Sequence, residues 1–286
     1  MDNIIIEKAF SDIVENAEKI AEAEAQEDDY TVNGLRYCGK CQAPKQAVIK
    51  IEGAFNGKVV PVKCDCSKLE EEAEREAEKK RKISQEIKGF FGKRAVRTFK
   101  TDEDPDSPPS RLCRRYAQAF AKDFKPNGNG LLIYGNRGTG KTGYADSIAY
   151  ELMSEGFKAV RIDILQYCSN EENKAEAEAL QTLKRADIVI LDGIGKEPSN
   201  VKNATSICTL VNMLRDNNTP IIAVTDIPLE IIKSESELKK IKREAYMNTF
   251  ATLRACTYPV HCVNDFLTQA IKTNFLSMRE LLEREA

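Results

Sequence analysis

Residues 135–142 constrain the chain more than any other stretch, because they read GNRGTGKT and satisfy the pattern G-x-x-x-x-G-K-[ST] in full. The apolar run GLLIYG leads into them, and a segment with helical periodicity follows. A glycine-rich turn between a strand and a helix lets backbone N–H groups surround phosphate oxygens at the positive end of the helix dipole. The sequence therefore predicts a nucleotide-phosphate site at this turn.

The side chains of the turn indicate how ATP and its metal ion would be held. We expect the ammonium of Lys141 to reach the β- and γ-phosphates and the hydroxyl of Thr142 to bind Mg2+. The predicted nucleotide-binding residues are Gly135, Asn136, Arg137, Gly138, Thr139, Gly140, Lys141, Thr142 and Gly143.

From about residue 94 onward, short apolar runs alternate with segments of helical periodicity, which is typical of a parallel α/β sheet flanked by helices. The predicted strands are residues 130–135, 158–164, 187–192, 220–226 and 258–263, and a helix is predicted over residues 169–186.

Two of the predicted strands end in an aspartate. DIVILD ends at Asp192, whose carboxylate would hold Mg2+ from its second shell. PIIAVTD ends at Asp226, at the sheet edge where a nucleotide lies in α/β folds. An acid after a buried strand is often only a turn or cap residue, but the phosphate turn upstream favours the functional interpretation. Lys141, Asp192 and Asp226 are therefore the predicted catalytic residues.

Four of the nine cysteines stand in two close pairs. Cys38 and Cys41 form a C-x2-C pair, and Cys64 and Cys66 form a C-x-C pair. The alternating segments AVIKI and KVVPVK around FNG predict a hairpin that carries the second pair back to the first. Four thiolates suit tetrahedral Zn2+ and leave no open position for catalysis. Disulfides or free thiols are the alternatives to this predicted structural zinc site.

Composition divides the chain into four parts. We expect an amphipathic helix over residues 1–30, a small four-cysteine zinc module over residues 31–68, a charged helical linker over residues 69–93 and an α/β domain over residues 94–286. The apolar stripe of the first helix could pack on this protein's own body or in the groove of a partner.

The charge balance and the absence of long apolar runs limit the classes of function. Lys and Arg total 43 against 45 Asp and Glu, so the formal net charge is -2. That balance gives no globally basic footprint for nucleic acid but leaves room for a local basic groove. No apolar run reaches the roughly 18 residues of a membrane span, and no secretory signal is recognisable. Clustered cysteines favour metal in a reducing compartment, so we expect a cytoplasmic protein that does not span a membrane.

Residues 94–263 resemble the DnaC/IstB-like branch of AAA+ ATPases, which includes bacterial and phage replicative-helicase loaders. The resemblance rests on RAVRTFKT, LLIYGNRGTGKT, VILDGIG, TPIIAVTD and LRACTYPVHCV. It implies an AAA+ P-loop ATPase domain. A cysteine-rich module with a helix before it is similar to the partner-binding N-terminal region of such loaders. IstB-type transposition ATPases are less similar, because their N-terminal region is helical and lacks the cysteine knuckles.

The resemblance also implies a function. A loader of this type uses ATP and Mg2+, binds a DnaB-type replicative helicase, assembles into an oligomer on it and assists its loading onto single-stranded DNA. Arg254 is the first candidate for the arginine that reaches a neighbouring subunit's nucleotide, and Arg243 is the second. The alternatives are a nucleotide-gated adaptor without significant hydrolysis and an IstB-like transposition ATPase. A P-loop kinase for a small metabolite is less favoured, because no Arg-rich lid segment stands out.

The sequence departs from the family pattern beside the predicted magnesium carboxylate and at the sensor. Gly193 follows Asp192 where the family usually has a second acid that aligns the attacking water, and Asp226 stands where asparagine is usual. The next acid after Gly193 is Glu197, beyond the turn GIGK. The sequence thus predicts ATP binding with slow basal hydrolysis. Gly193→Asp would accelerate hydrolysis if the backbone there does not need a positive φ.

Overall fold

The computed structural model describes residues 27–50, 56–102, 104–169, 181–198, 200–234, 236 and 244–263. The chain divides into two compact units, residues 1–82 and 83–286, and the division falls within the segment predicted as a linker. The predicted N-terminal helix lies outside the described residues except for 27–30, which form a turn and the start of a strand. Most of the helix predicted over residues 169–186 also lies outside them.

The described residues of the first unit form two small antiparallel hairpins. Strand β1 (Tyr30–Val32) pairs with β2 (Leu35–Tyr37) across an Asn-Gly turn, the preferred two-residue hairpin connection. Strand β3 (Gln46–Val48) pairs with β4 (Val59–Pro61). The second pairing confirms the hairpin predicted between the two cysteine pairs.

A long charged helix, α1 (Asp65–Phe91), confirms the helix predicted from the run of acids and lysines. Most of its side chains are exposed, and Leu69 is 66% exposed, so little apolar burial stabilises its middle. Glu78 and Lys82 form an ion pair of 2.7 Å one turn apart, the kind of local contact that supports an exposed helix. Near its end, Phe91 is buried.

The second unit is built on a five-stranded parallel sheet in the order β6-β7-β8-β5-β9. The strands are β5 (Gly130–Tyr134), β6 (Ala159–Asp163), β7 (Ile188–Ile194), β8 (Ile221–Thr225) and β9 (Thr257–His261). Every residue of β5 and β8 is buried, because helices cover both faces of a parallel sheet. This burial explains why the strands read as continuous apolar runs, and the predicted α/β class is confirmed.

Helices pack on both faces of this sheet, and each face has its own apolar cluster. Their bounds are α2 (Pro108–Ala119), α3 (Lys141–Ser154), α4 (Ile164–Ser169), α5 (Val201–Asp216), α6 (Leu229–Lys233) and α7 (Glu244–Cys256). One cluster joins α2 and α3 to the sheet, and the other joins α5 and α7 to it. Helix α4 was not predicted, because the strand expected over residues 158–164 ends one residue earlier and continues directly into a helix. No helix among the described residues is long and apolar enough to cross a membrane.

Strand β7 contains a bulge beside the predicted magnesium carboxylate. The register with β8 shifts between Asp192 and Ile194, so Gly193 has no partner in β8. Gly193 has φ +85°, a conformation that L side chains rarely adopt. The condition set for Gly193→Asp is therefore not met, since any side chain at this position is strained. The sequence could not show this, because the bulge depends on the pairing with a distant strand.

We expect Gly193→Ala to lower the free energy of unfolding by about 1–2 kcal/mol, because a Cβ is disfavoured in the left-handed region. The Cβ would also lie 3.1 Å from Cδ of Lys196. Gly89→Ala is the matched control, since Gly89 is helical and a Cβ there meets open space. The control should raise the free energy of unfolding by about 0.5–1 kcal/mol. Denaturant unfolding of both variants measures the difference, and equal responses would contradict the bulge.

Candidate functional site

The predicted site residues of the second unit meet at the carboxyl edge of the parallel sheet. The turn of residues 135–140 follows β5, and α3 begins at Lys141. Asp192 lies near the end of β7, and Asp226 directly follows β8, the strand between β7 and β5. Ligands of open α/β sheets bind at this edge, so the fold places these residues where a nucleotide would be held.

The ammonium of Lys141 lies against backbone carbonyl groups of the turn. Lys141 Nζ donates to the carbonyl oxygens of Gly135 at 2.8 Å and Asn136 at 2.5 Å. Gly140 caps α3 with φ +83°, which brings the helix N-terminus directly behind the turn. The Lys141 side chain is only 6% exposed, so its charge requires close oxygen partners. Phosphate oxygens can supply such partners, and Asn136 and Arg137 of the same turn are exposed to solvent.

A hydroxyl and a carboxylate converge beside this turn. Thr142 Oγ1 lies 3.2 Å from Asp192 Oδ1 and 3.4 Å from Oδ2. Both are hard oxygen donors of the kind that Mg2+ uses together with nucleotide phosphates and water. The residues predicted to hold magnesium are thus brought together by α3 and β7, and their donor set fits that ion.

Arg161 on β6 also contacts this carboxylate, and the sequence analysis did not identify it. Its guanidinium forms ion pairs with Asp192 and with Asp146 of α3. Asp146 also pairs with Arg94 at 3.0 Å. The available signal was a charged residue inside the otherwise apolar stretch AVRI. Arg161 orients Asp192 and offsets its charge.

Asp226 is paired with two cations. Its Oδ1 lies 2.8 Å from Lys141 Nζ, and its Oδ2 accepts a hydrogen bond of 3.3 Å from Arg137 Nε. Burial alone would raise the pKa of the Asp226 carboxyl, but the hydrogen bond and charge of Lys141, with Lys196 and Arg137, lower it overall. Asp226 is therefore ionised at neutral pH. Its negative charge would repel phosphate, and the two cations beside it offset that charge.

The remaining predicted residues of this unit do not meet at the turn. Glu197 is 2% exposed, and its Oε2 accepts the N–H of Gly195 at 2.9 Å. Arg254 is exposed in the last turn of α7, and within the described ranges it forms no ion pair or hydrogen bond with the phosphate turn. The second arginine candidate, Arg243, lies outside the described residues.

The four clustered cysteines of the first unit converge on one point. The sulfur atoms of Cys38, Cys41, Cys64 and Cys66 all lie within 4.8 Å of one another. All four are free thiols. Cys66 Sγ lies 3.5 Å from Cys38 Sγ and 3.3 Å from Cys64 Sγ, well beyond the roughly 2.05 Å of a disulfide. Cys38 and Cys64 are buried, so their sulfurs face inward.

The electrostatics of the cluster suit a bound cation. Hydrogen bonds from backbone N–H groups, first that of Cys66, lower the pKa of the Cys41 thiol to about 6. Contacts with neighbouring thiols, first Cys64, raise the pKa of Cys66 to about 12. Crowded thiols therefore resist complete ionisation until a cation joins them. Four thiolates at this separation can hold one metal ion.

We expect Lys141→Ala to abolish the thermal stabilisation that ATP gives the protein, because backbone N–H groups alone do not supply the charge of the ammonium. For scale, a ligand at about 100 times its dissociation constant stabilises the native state by roughly 2.7 kcal/mol. Lys202→Ala, at an exposed position of α5, is the control and should respond to ATP like the wild type. An unchanged ATP response of Lys141→Ala would show that the turn is not the nucleotide site.

Comparison with known proteins agrees with this geometry. Residues 131–248 match the model of the ATPase family associated with various cellular activities (AAA). No curated protein matches the chain. The chain is similar to the crystal structure of the DnaC helicase loader, with 17% identity and a TM-score of 0.47 over 58% of this chain and 96% of that one. It is also similar to the structure of DnaI, with 18% identity and a TM-score of 0.48 over 59% and 88% of the two chains. The family match lies within the second unit, and the parallel sheet flanked by helices fits the AAA+ P-loop fold predicted from the sequence motifs.

Proposed function

We propose that the chain is a cytoplasmic, ATP-binding loader that binds a DnaB-type replicative helicase and assists its loading onto single-stranded DNA during DNA replication. The observation that carries the proposal is the site at the sheet edge. The phosphate turn and the Thr142–Asp192 pair are complete, whereas Gly193 stands where an acid would align the attacking water. Such a site binds ATP firmly and hydrolyses it slowly, which suits an ATPase that holds an assembly together.

The residues of the turn and of the two neighbouring strands have distinct proposed roles. Lys141 and the backbone N–H groups at the start of α3 neutralise the phosphates, and Thr142 and Asp192 hold Mg2+. The magnesium ion offsets the charge on the phosphate oxygens. Asp226 would lie beside the γ-phosphate as the sensor.

Assembly of several subunits on the helicase would complete the site. Arg254 is the proposed residue that reaches a neighbouring subunit's nucleotide, and its exposure in α7 leaves its guanidinium available for that contact. Residues 94–286 would form the assembling ATPase domain, with residues 69–93 as the linker before it.

The N-terminal unit would bind the partner rather than take part in the reaction. Its four clustered cysteines can close the coordination sphere of one ion, which leaves no position for a substrate. We propose that the ion is Zn2+ and that it organises residues 31–68 into a rigid surface for the helicase. The amphipathic helix predicted at the N-terminus would add to this surface. The resemblance of this arrangement to helicase loaders supports the role, whereas IstB-type transposition ATPases are less similar because their N-terminal region lacks the cysteine knuckles.

The bulge at Gly193 favours one alternative, a nucleotide-gated adaptor whose ATP is never hydrolysed to a significant extent. Because φ at Gly193 disfavours any side chain, this strand end cannot supply the missing acid by a small rearrangement. Turnover measurements separate this alternative from the loader.

We expect the full chain to form an ATP-dependent complex with a DnaB-type helicase and to hydrolyse ATP well below the roughly 10 per second of a median enzyme. Single-stranded DNA or the helicase should raise the rate, because either can order neighbouring subunits around the nucleotide. Size-exclusion chromatography and ADP release measure the two effects, with Lys141→Ala as the control that should lose both. Firm ATP binding without turnover under any of these conditions would favour the adaptor, and failure to bind the helicase would contradict the loader.

Metal analysis should find one zinc per chain, and Cys38→Ser should reduce that content, because a buried thiolate ligand is lost. Cys208→Ser is the matched control, since Cys208 lies on α5 in the other unit. Zinc binding contributes roughly 10–16 kcal/mol to the folding of small metal modules, so chelation should unfold the cysteine unit. The response to ATP should persist after chelation. Well under one zinc per chain in freshly purified protein would contradict the assignment.

A further inference from the structure

No second acid follows Asp192 at the end of β7, but Asp226 directly follows the neighbouring strand β8. The two strands are adjacent and parallel, and Ile194 pairs with Thr225, the residue before Asp226. Asp226 Oδ1 lies 2.8 Å from Lys141 Nζ, the cation that would meet the β- and γ-phosphates. The Asp226 side chain is 23% exposed, so water can reach it.

The other acids at the ends of these two strands are engaged elsewhere. Asp192 contacts Thr142 and Arg161, the arrangement expected of a magnesium carboxylate. Glu197 is buried, and one of its oxygens accepts a hydrogen bond from the backbone of the turn after β7. Asp226 differs from both, because its partners include the lysine of the phosphate turn.

We propose that Asp226 is a catalytic residue that takes over the task Gly193 cannot perform, namely to orient and deprotonate the water that attacks ATP. The inference rests on the ATPase function proposed above and deepens it. When the phosphates of ATP become the partners of Lys141, the Asp226 carboxylate is released from that ion pair while Arg137 keeps it at the edge. It then lies within reach of water beside the γ-phosphate.

The proposed hydrolysis involves the attacking water, ATP and the Asp226 carboxylate. The water oxygen forms a bond to the γ-phosphorus, and the bond from that phosphorus to the β–γ bridging oxygen breaks, with its electron pair leaving on ADP. One water proton passes to the Asp226 carboxylate and then to solvent, and the other stays on the released phosphate. Arg137 stays beside the Asp226 carboxylate, whose side chain is 23% exposed, so the group keeps the ionised form that accepts a proton.

The same carboxylate has two opposite effects that an experiment can separate. As a base it speeds hydrolysis, and as an anion beside the phosphates it weakens ATP binding. Removing its charge should therefore slow the reaction while it leaves ATP binding intact or tighter. A residue that serves only as a polar sensor would not show this combination, because an uncharged amide fills that role.

The test compares Asp226→Asn with wild type in the full chain. Asparagine keeps the size of the side chain and an oxygen for Lys141. We expect ATP hydrolysis, measured as single-turnover ADP formation, to fall about 10²–10⁴-fold. ATP affinity, measured separately by titration, should stay equal or tighten by about two- to fivefold. Asp216→Asn is the matched control, since Asp216 pairs with Arg215 at an exposed site and both quantities should be unchanged.

Asp226→Ala distinguishes a base from a polar sensor. If Asp226 is the base, Asp226→Asn and Asp226→Ala should hydrolyse ATP equally slowly. If it is only a polar sensor, Asp226→Asn should remain active and Asp226→Ala should be slow. Hydrolysis by Asp226→Asn at or above the wild-type rate overturns the inference. Wild-type protein that binds ATP and forms no ADP overturns it as well and supports the adaptor. Wild-type protein that does not bind ATP overturns the proposed function itself.

Discussion

The partly buried carboxylate of Asp192, whose side chain is 11% exposed, links the elements at the carboxyl edge of the sheet. Thr142 of α3 and Arg161 of β6 both contact it, and Asp146 of α3 contacts the same arginine. The network extends through Arg94, which pairs with Asp146 from the segment before α2. Asp146 is the buried charge of this network, with a side chain 6% exposed, and removal of one partner from a buried pair typically costs about 3–5 kcal/mol. The helix after the phosphate turn is therefore fixed to β6 and β7 by charge as well as by apolar packing.

The two carboxylate oxygens of Asp192 differ in their contacts. Oδ2 pairs with Arg161 and lies 3.4 Å from the hydroxyl of Thr142, whereas Oδ1 lies 3.2 Å from that hydroxyl and does not pair with Arg161. A magnesium ion beside Thr142 can therefore be held without breaking the pair with Arg161. Lys141 differs, because its Nζ pairs with Asp226 Oδ1 at 2.8 Å and also donates to two carbonyl oxygens of the turn. Phosphate oxygens at Lys141 would compete with the Asp226 carboxylate, which would reduce the net free energy of their contacts.

The sequence predicted those parts of the molecule that depend on interactions between residues close together in the chain. The five strands are buried on both faces, so each appears as an apolar run between turns, and the phosphate turn is specified by eight consecutive residues. The hairpin β3–β4 follows from alternation and brings Cys64 and Cys66 to Cys38 and Cys41. Helix α4 was not found, because its six residues continue directly from a strand without a turn signal.

What the sequence did not reveal depends on contacts between distant segments. The pairing of Arg161 with Asp192 requires the register of β6 against β7, and the positive φ of Gly193 requires the register of β7 against β8. The sequence shows Gly193 only as a missing acid, whereas in the structure it is a conformational requirement of the bulge. A carboxylate at position 193 would therefore strain β7. The proposed water-activating carboxylate comes instead from the neighbouring strand end, where Asp226 directly follows β8.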